Sequence, residues 1–173
     1  MKILIASDIH GSLSSVKQIL AYYDEQKCDL LCLLGDLLNY GPRNGLPADL
    51  NPQAVADLLN ERAEHIVAVR GNCDSEVDQM LLHFPLLADY ALVVDGTRRL
   101  FLTHGHVYHE EHMPSLWGID AFFYGHTHLP KVQPATDVLP LICNTGSPTF
   151  PKGGNPPTFA IYEDGKVELV VCK

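Results

Sequence analysis

The chain has 173 residues, 46% of them hydrophobic, with a formal net charge of −9 and a pI near 5.3. That length and apolar content suffice to bury one full core, so a single domain over residues 1–173 is expected. The acidic balance excludes the uniformly basic surface of a general nucleic-acid binder, and with it long nucleic acids as substrates.

Lys2–Ala6 reads as a buried strand. Ser14 is a candidate cap for a helix running to about Tyr23, in which Val16, Ile19, Leu20 and Tyr23 share one face at helical spacing. Leu30–Leu34 is a second buried strand. A loop rich in Gly, Pro and Asn spans 36–50, and Asn51-Pro52 suits the N-cap and first position of a helix through Arg62. Ile66–Val69 is a third strand; Ser75 then caps a short helix that carries Val77, Met80 and Leu81 and is interrupted by Pro85. From Tyr90 the chain reads as short strands joined by tight turns: Ala91–Val94, Leu100–Thr103, Ala121–Tyr124, Val138–Asn144, Phe159–Tyr162 and Val167–Val171, with Asp95-Gly96 and Asp164-Gly165 as turn pairs. A βαβα half followed by a β-rich half predicts an α/β fold of two stacked sheets with helices outside. The turn-rich stretch from Pro148 to Pro157 is expected to cap a sheet edge or line a cleft mouth.

The apolar run within Met1–Ser7 is far shorter than a signal-peptide core, and no stretch approaches the roughly 20 residues of a membrane helix, so a cytoplasmic protein with no membrane partner is expected. Five cysteines form an odd count with no disulfide framework, and Cys28 with Cys32 beside a strand does not read as a zinc site.

Five short polar islands each follow directly on an apolar run: Asp8-Ile9-His10, Gly35-Asp36, Gly71-Asn72-Cys73-Asp74, His104-Gly105-His106 and Gly125-His126-Thr127-His128. Ligands of open α/β sheets sit beyond the carboxyl ends of strands, so the five islands should converge. They hold Asp8, His10, Asp36, Asn72, His104, His126 and His128, oxygen and imidazole donors suited to Mn, Fe, Zn, Co or Ni. A lone His or Asp after a strand is more often a capping residue. Five in succession favour a metal site, because burying this many carboxylates and imidazoles without a cation is costly. The spacing Asp8-x-His10 and His126-x-His128 points both side chains of each pair to one side if the backbone is extended, which would let two pairs clamp two ions.

Read in order, these blocks resemble the calcineurin-like metallophosphoesterases, whose pattern is D-x-H, G-D, G-N-H-D/E, H and G-H-x-H. The resemblance spans nearly the whole chain, and residues 35–44 and 70–79 are similar to the small bacterial YfcE-type phosphodiesterase branch. It implies a four-layer αββα sandwich of two mixed β-sheets flanked by helices. It also implies that Asp8, His10, Asp36 and His128 hold one metal ion and Asp36, Asn72, His104 and His126 the other. Asp36 would bridge them, and Asp36, Asn72 and His104 would serve catalysis. Mn²⁺ is the implied ion, with Fe, Ni, Co or Zn as alternatives. The implied reaction is hydrolysis of a small phosphodiester by in-line attack of a metal-bridging hydroxide. Two divalent ions, less the charges of Asp8, Asp36 and that hydroxide, leave a positive site suited to a phosphodiester anion.

The pattern departs at Cys73, where the family has a His implied to assist the phosphate or protonate the leaving group. General acid catalysis contributes about 10²–10⁴-fold, so a preference for aryl or other low-pKa leaving groups is expected. Cys73 also reads as a small residue fitting a turn or as a redox-active thiol, and Asp74 as a residue that orients a ligand. Asn39, Arg43, Cys73 and His106 are candidate substrate contacts. Arg43 reads equally as half of a surface salt bridge, and His106 as an ordinary hydrogen-bonded histidine. His109 and His112 read as rim histidines, and His65 and His83 as structural. Asn144-Thr145-Gly146-Ser147 resembles the family's N-P-G-S stretch, with Gly146 expected to let the backbone approach the metals. Pro148, Phe150 and Tyr162 either shape substrate access or belong to core and turn.

The leading reading is a metal-dependent phosphodiesterase. A weak phosphomonoesterase and a non-catalytic scaffold that kept the metal site are the alternatives, and seven intact ligand positions argue against the scaffold. Short or cyclic nucleotides stay open as substrates. A homo-oligomer also stays open, with Leu81, Leu82, Phe84 and Leu86-Leu87 as either an apolar patch or core.

Overall fold

The computed structural model describes residues 1–115 and 118–172. In chain order the elements are β1 (Lys2–Ala6), α1 (Leu13–Glu25), β2 (Leu30–Leu33), α2 (Pro52–Asn60), a 3₁₀ turn (Ala63–His65), β3 (Ile66–Ala68), α3 (Glu76–Leu81), β4 (Tyr90–Asp95), β5 (Arg98–Thr103), β6 (Ala121–Tyr124), β7 (Lys131–Gln133), β8 (Leu141–Asn144), β9 (Thr158–Glu163) and β10 (Lys166–Val171). Two five-stranded sheets result, in the orders β10-β9-β1-β2-β3 and β4-β5-β6-β8-β7. Both are mixed: β1, β2 and β3 run parallel beside the antiparallel β9 and β10, and β5, β6 and β8 run parallel between the antiparallel edge strands β4 and β7.

Alternation along β1 explains the layering. Leu4 and Ala6 pack on the helix side with Val16, Ile19, Val55 and Leu59, whereas Ile3 and Ile5 pack between the sheets with Leu100, Leu102, Phe123 and Tyr162. Each fully buried Leu or Ile contributes about 1.5–3 kcal/mol, so a strand buried on both faces fixes its register firmly. The outer face of the second sheet is covered differently. Phe101, Phe122, Tyr124 and Ile142 are closed off by Tyr108, Met113 and Ile119, which lie in no helix or strand. The two mixed sheets are as expected, while among the described residues the helices lie on the first sheet's outer face.

Several local expectations shift. The cap of α1 is Ser12 and not Ser14, because the Ser12 hydroxyl accepts from the Ser15 N–H and donates to Asp49. α2 stops at Asn60, and the third strand is cut to Ala68. In α3 the apolar Val77 and Met80 face solvent while Asp78 is buried. The run beginning at Val138 forms a strand only from Leu141, and the short polar edge strand β7 is added. Leu82, Phe84 and Leu86 belong to the core, so that run offers no exposed patch. All five cysteines are free thiols, and among the described residues no helix is long and apolar enough to cross a membrane.

Candidate metal centre

The five islands come after β1, β2, β3, β5 and β6, at the carboxyl ends of strands that are parallel within each sheet. Beyond β1 and β2 the backbone stays zipped, with Asp8 N–H donating to Gly35 O (3.1 Å) and His10 N–H to Asp36 O (2.9 Å). The sheets meet where His104 Nδ1 donates to Leu34 O at 2.7 Å.

The expected extended backbone is absent. Asp8, His10, Asp36, His126 and His128 all have φ between 51° and 64°, the left-handed region. Asp and His are among the non-glycine residues that tolerate it best. Each pair still turns both side chains inward, through alternating left-handed residues and not through strand pleat. Two glycines make room: a Cβ on Gly71 would fall 2.1 Å from Asp36 Oδ1, and one on Gly125 would fall 2.1 Å from Ser7 Oγ.

The seven predicted ligands come together in two overlapping groups. In the first, Asp8 Oδ1 lies 3.2 Å from His128 Nε2 and 3.6 Å from His10 Nε2, and the two Nε2 atoms are 3.4 Å apart. In the second, His104 Nε2 lies 3.1 Å from Asn72 Oδ1 and 3.2 Å from His126 Nδ1. Asp36 Oδ2 reaches both, 3.9 Å from His10 Nε2 and 3.6 Å from His104 Nε2. Asp8, His10, Asp36, His104 and His128 are buried; Asn72 and part of His126 face solvent.

The donor chemistry fits metal ions. His10, His104 and His128 place Nδ1 at 2.7 Å from the carbonyls of Asn39, Leu34 and Phe150, so each Nδ1 must carry its proton. Their Nε2 lone pairs are thereby turned into the centre, the arrangement that orients metal-binding imidazoles. Asp8 Oδ1 is the buried side-chain polar atom among the described residues that makes no hydrogen bond; its imidazole neighbours His128 and His10, 3.2 and 3.6 Å away, turn Nε2 lone pairs toward it. An unpartnered buried carboxylate oxygen is costly, and a cation held by Asp8, His10 and His128 would satisfy it.

Charge tunes these groups. Burial opposes ionisation of Asp8, but the surrounding imidazoles of His104, His10 and His128 hold its carboxyl well below the usual range. Burial would lower His10, yet the neighbouring Asp8 carboxylate outweighs it and raises the imidazole. Burial and the neighbouring His104 push His126 down to about 4. Burial, then the charge of Asp36, push the Cys73 thiol up to about 12.

A ring of further residues holds the ligands. The Asp74 carboxylate accepts the N–H groups of Asp36, Leu37 and Gly71, the orienting role expected of it. Ser147 Oγ donates to Asp8 O and accepts from Phe150 N, tying the first island to the carbonyl that fixes His128. Asn144 Nδ2 donates to Gly125 O and to Thr127 Oγ1, framing His126. The close approach at Gly146 is to Thr158 and not to the ligands, since a Cβ there would meet Thr158 Oγ1 at 2.3 Å.

A cavity of about 230 Å³ opens over the centre, lined by Asp36, Arg43, Asn44, Cys73, His128 and Lys152 among others. A larger one, about 540 Å³, lies on the outer face of the second sheet beside Phe101 and Phe122, away from the ligand cluster. Arg43 and Cys73 thus sit where substrate contacts were expected. Asn39 does not: its amide donates to Asp78 and its carbonyl holds His10, so it positions a ligand. His106 lines a neighbouring opening, its ring 5.3 Å from that of His104. Tyr162 is core, its hydroxyl donating to Asp95. Asn44, whose Nδ2 lies 3.3 Å from His10 Nε2, and Lys152 were not singled out in the sequence; both stand in turn-rich loops that resemble ordinary connections.

The sequence profile of the calcineurin-like phosphoesterase superfamily domain matches residues 1–165. The chain is 46% identical to phosphodiesterase YfcE of Escherichia coli K12 over 170 residues, covering 98% of this chain and 91% of that protein. It is 28% identical to the probable metallophosphoesterase YsnB of Bacillus subtilis, over 93% of this chain and 83% of that one. A solved structure of the E. coli phosphoesterase YfcE superposes over the full length of both chains with a TM-score of 0.90 at 42% identity. Vps29 of Chaetomium thermophilum shares the fold, with a TM-score of 0.65 at 18% identity, over 99% of this chain and 95% of that one. The chain belongs to the calcineurin-like phosphoesterase superfamily.

Proposed function

We propose that this protein is a metal-dependent phosphodiesterase that hydrolyses small phosphodiesters at a two-metal centre, with manganese as the expected ion. The observation that carries this reading is the set of three Nε2 lone pairs aimed at Asp8 and Asp36, with each Nδ1 proton committed to a backbone carbonyl. Asp8, His10, Asp36 and His128 would hold one ion, and Asp36, Asn72, His104 and His126 the other. Two such ions supply the Lewis acidity that lowers the pKa of water and balances charge on phosphoryl oxygens. The chain's part is positional: Asp36 lies between the two groups, Asp74 fixes it, and the open cavity gives a phosphodiester access from the side of Asn72 and His126. With Cys73 in the place of the family's His, expulsion of a poor alkoxide lacks an imidazole acid at that position. Five free thiols suit a reducing cytoplasmic setting.

The test is protein stripped of metal, reloaded with manganese, and assayed on a bis-aryl phosphodiester and on the matching monoester. Faster diester turnover that vanishes in Asp36→Asn supports the reading. Absence of turnover with every divalent ion tried would sink it, and faster monoester turnover would move the activity to phosphomonoesters.

A further inference from the structure

Two openings flank the candidate metal centre. Besides the cavity carrying Arg43 and Lys152, an opening of about 400 Å³ is lined by His106, His109, Glu110, Glu111, His126 and Thr127. His126 and Thr127 line both, so the openings meet across this dipeptide as two arms of one groove.

Their charges are opposite. Lys2, Arg62 and Lys131 are spent in ion pairs with Glu163, Asp24 and Glu110. Among the described residues the side chains of Arg43 and Lys152 have neither a salt bridge nor a hydrogen bond, in a chain of net charge −9, and both face the same small cavity. In the other opening Glu110 is taken by Lys131, while Glu111 has no ion-pair partner among the described residues. A diester group carries one negative charge, which the metal centre already matches. Two further cations are in surplus for that group alone and suit a second anion.

Building on the phosphodiesterase reading, we propose that the groove selects an asymmetric phosphodiester. A short arm bearing a second anionic group, phosphate or carboxylate, lies against Arg43 and Lys152, and a hydroxyl- or amine-bearing arm lies against Glu111. The volume of about 230 Å³ is below the roughly 300–1,000 Å³ typical of pockets for larger ligands, so the acidic arm is a short one. Lys152 and Glu111 are the specificity-determining residues on the two sides.

The test uses manganese-loaded protein and three p-nitrophenyl phosphodiesters whose second arm is methyl, carboxymethyl or aminoethyl. The wild-type protein should favour the carboxymethyl over the methyl compound by about tenfold in kcat/KM, the scale of one charge-assisted contact. Lys152→Met should erase that ratio, and Glu111→Gln should leave it within about twofold while lowering the aminoethyl-to-methyl ratio. Calorimetric binding of phosphonoacetate against methylphosphonate gives the same comparison without turnover, with the wild-type preference for phosphonoacetate lost in Lys152→Met. Equal losses on all three substrates in Lys152→Met, or no wild-type preference for the second anion in either measurement, would overturn the proposal. If none of the diesters turns over, the phosphodiesterase reading falls and the binding comparison alone decides on the anion site.

Discussion

The carboxylate of Asp74 accepts the backbone N–H of Asp36 at 2.7 Å and, with its two oxygens, those of Gly71 at 2.7 Å and Leu37 at 2.9 Å. One buried side chain thus clasps the loop after β2 to the loop after β3 and sets the position of the residue shared by both ligand groups. Asp74→Asn keeps a single acceptor oxygen and turns an N–H₂ donor toward N–H groups. The expected cost is about 1–3 kcal/mol in stability and a 10–100-fold loss in metal affinity, read by thermal unfolding and by manganese titration.

Gly71 is constrained by contact and not by its backbone angle. An added methyl would lie 2.1 Å from Asp36 Oδ1 and 2.3 Å from Asp36 N, atoms already held by other bonds. Gly71→Ala should therefore displace Asp36, cost about 1–3 kcal/mol as overpacking, and reduce metal binding. A variant that folds and binds manganese like the wild type would show that the loop yields more easily than this packing implies.

Protons and metal ions compete for the same lone pairs, and the shifts give the sign. His10 is raised by Asp8, so its contribution to metal-free stability is present below the unfolded value near 6.5 and is lost as pH rises through its folded value. His126 is lowered to about 4, so it costs stability as pH falls from about 6.5 toward 4. Asp8 is depressed, and its contribution survives until pH falls below the unfolded value near 3.9. Manganese affinity should strengthen from about pH 6 to pH 8 with net proton release, because His10 must give up its proton to bind. Calorimetry in two buffers of different ionisation enthalpy measures that release; buffer-independent heats would refute it.

Cys73 presents a neutral thiol within the cluster formed with His10 and Asp36. Cys73→His places an imidazole able to protonate a leaving group in that position. Turnover of an alkyl diester should rise by up to about 10²-fold, the lower end of general-acid effects, while an aryl diester with a good leaving group should change little. Equal gains on both substrates would point to a binding effect instead.

Much of the molecule is legible in the amino acids because apolar runs ending in Asp, Asn or His announce both the buried strands and the ligand-bearing loops beyond them. The bounds of Lys2–Ala6 and Ala121–Tyr124 agree with the structure, since both strands are buried on either face and leave no ambiguity of period. Differences arise where backbone geometry or tertiary partners decide. Ser12 wins the cap over Ser14 because Asp49, distant in sequence, fixes both residues. β7 is invisible in the sequence because Lys131, Val132 and Gln133 pair with β8 as a short polar edge. The inward aim of Asp8 with His10 has a different cause from the expected one, since spacing by two arises from left-handed residues as well as from pleat. Asn39 resembles a substrate contact in sequence because Asp78, which holds its amide, sits on a helix face that periodicity assigns to solvent.

Five of the seven candidate ligands occupy backbone conformations that glycine adopts freely and that cost other residues about 1–2 kcal/mol each. Replacing any of them by glycine would relax the chain locally, and replacing the carboxylates would also relieve burial of charge. Selection for folding alone would therefore erode these positions before it touched the two sheets, leaving an intact sandwich with a blank face. Folding alone does not account for Asp8, His10, Asp36, His126 and His128, which all stand at this one end of the two sheets.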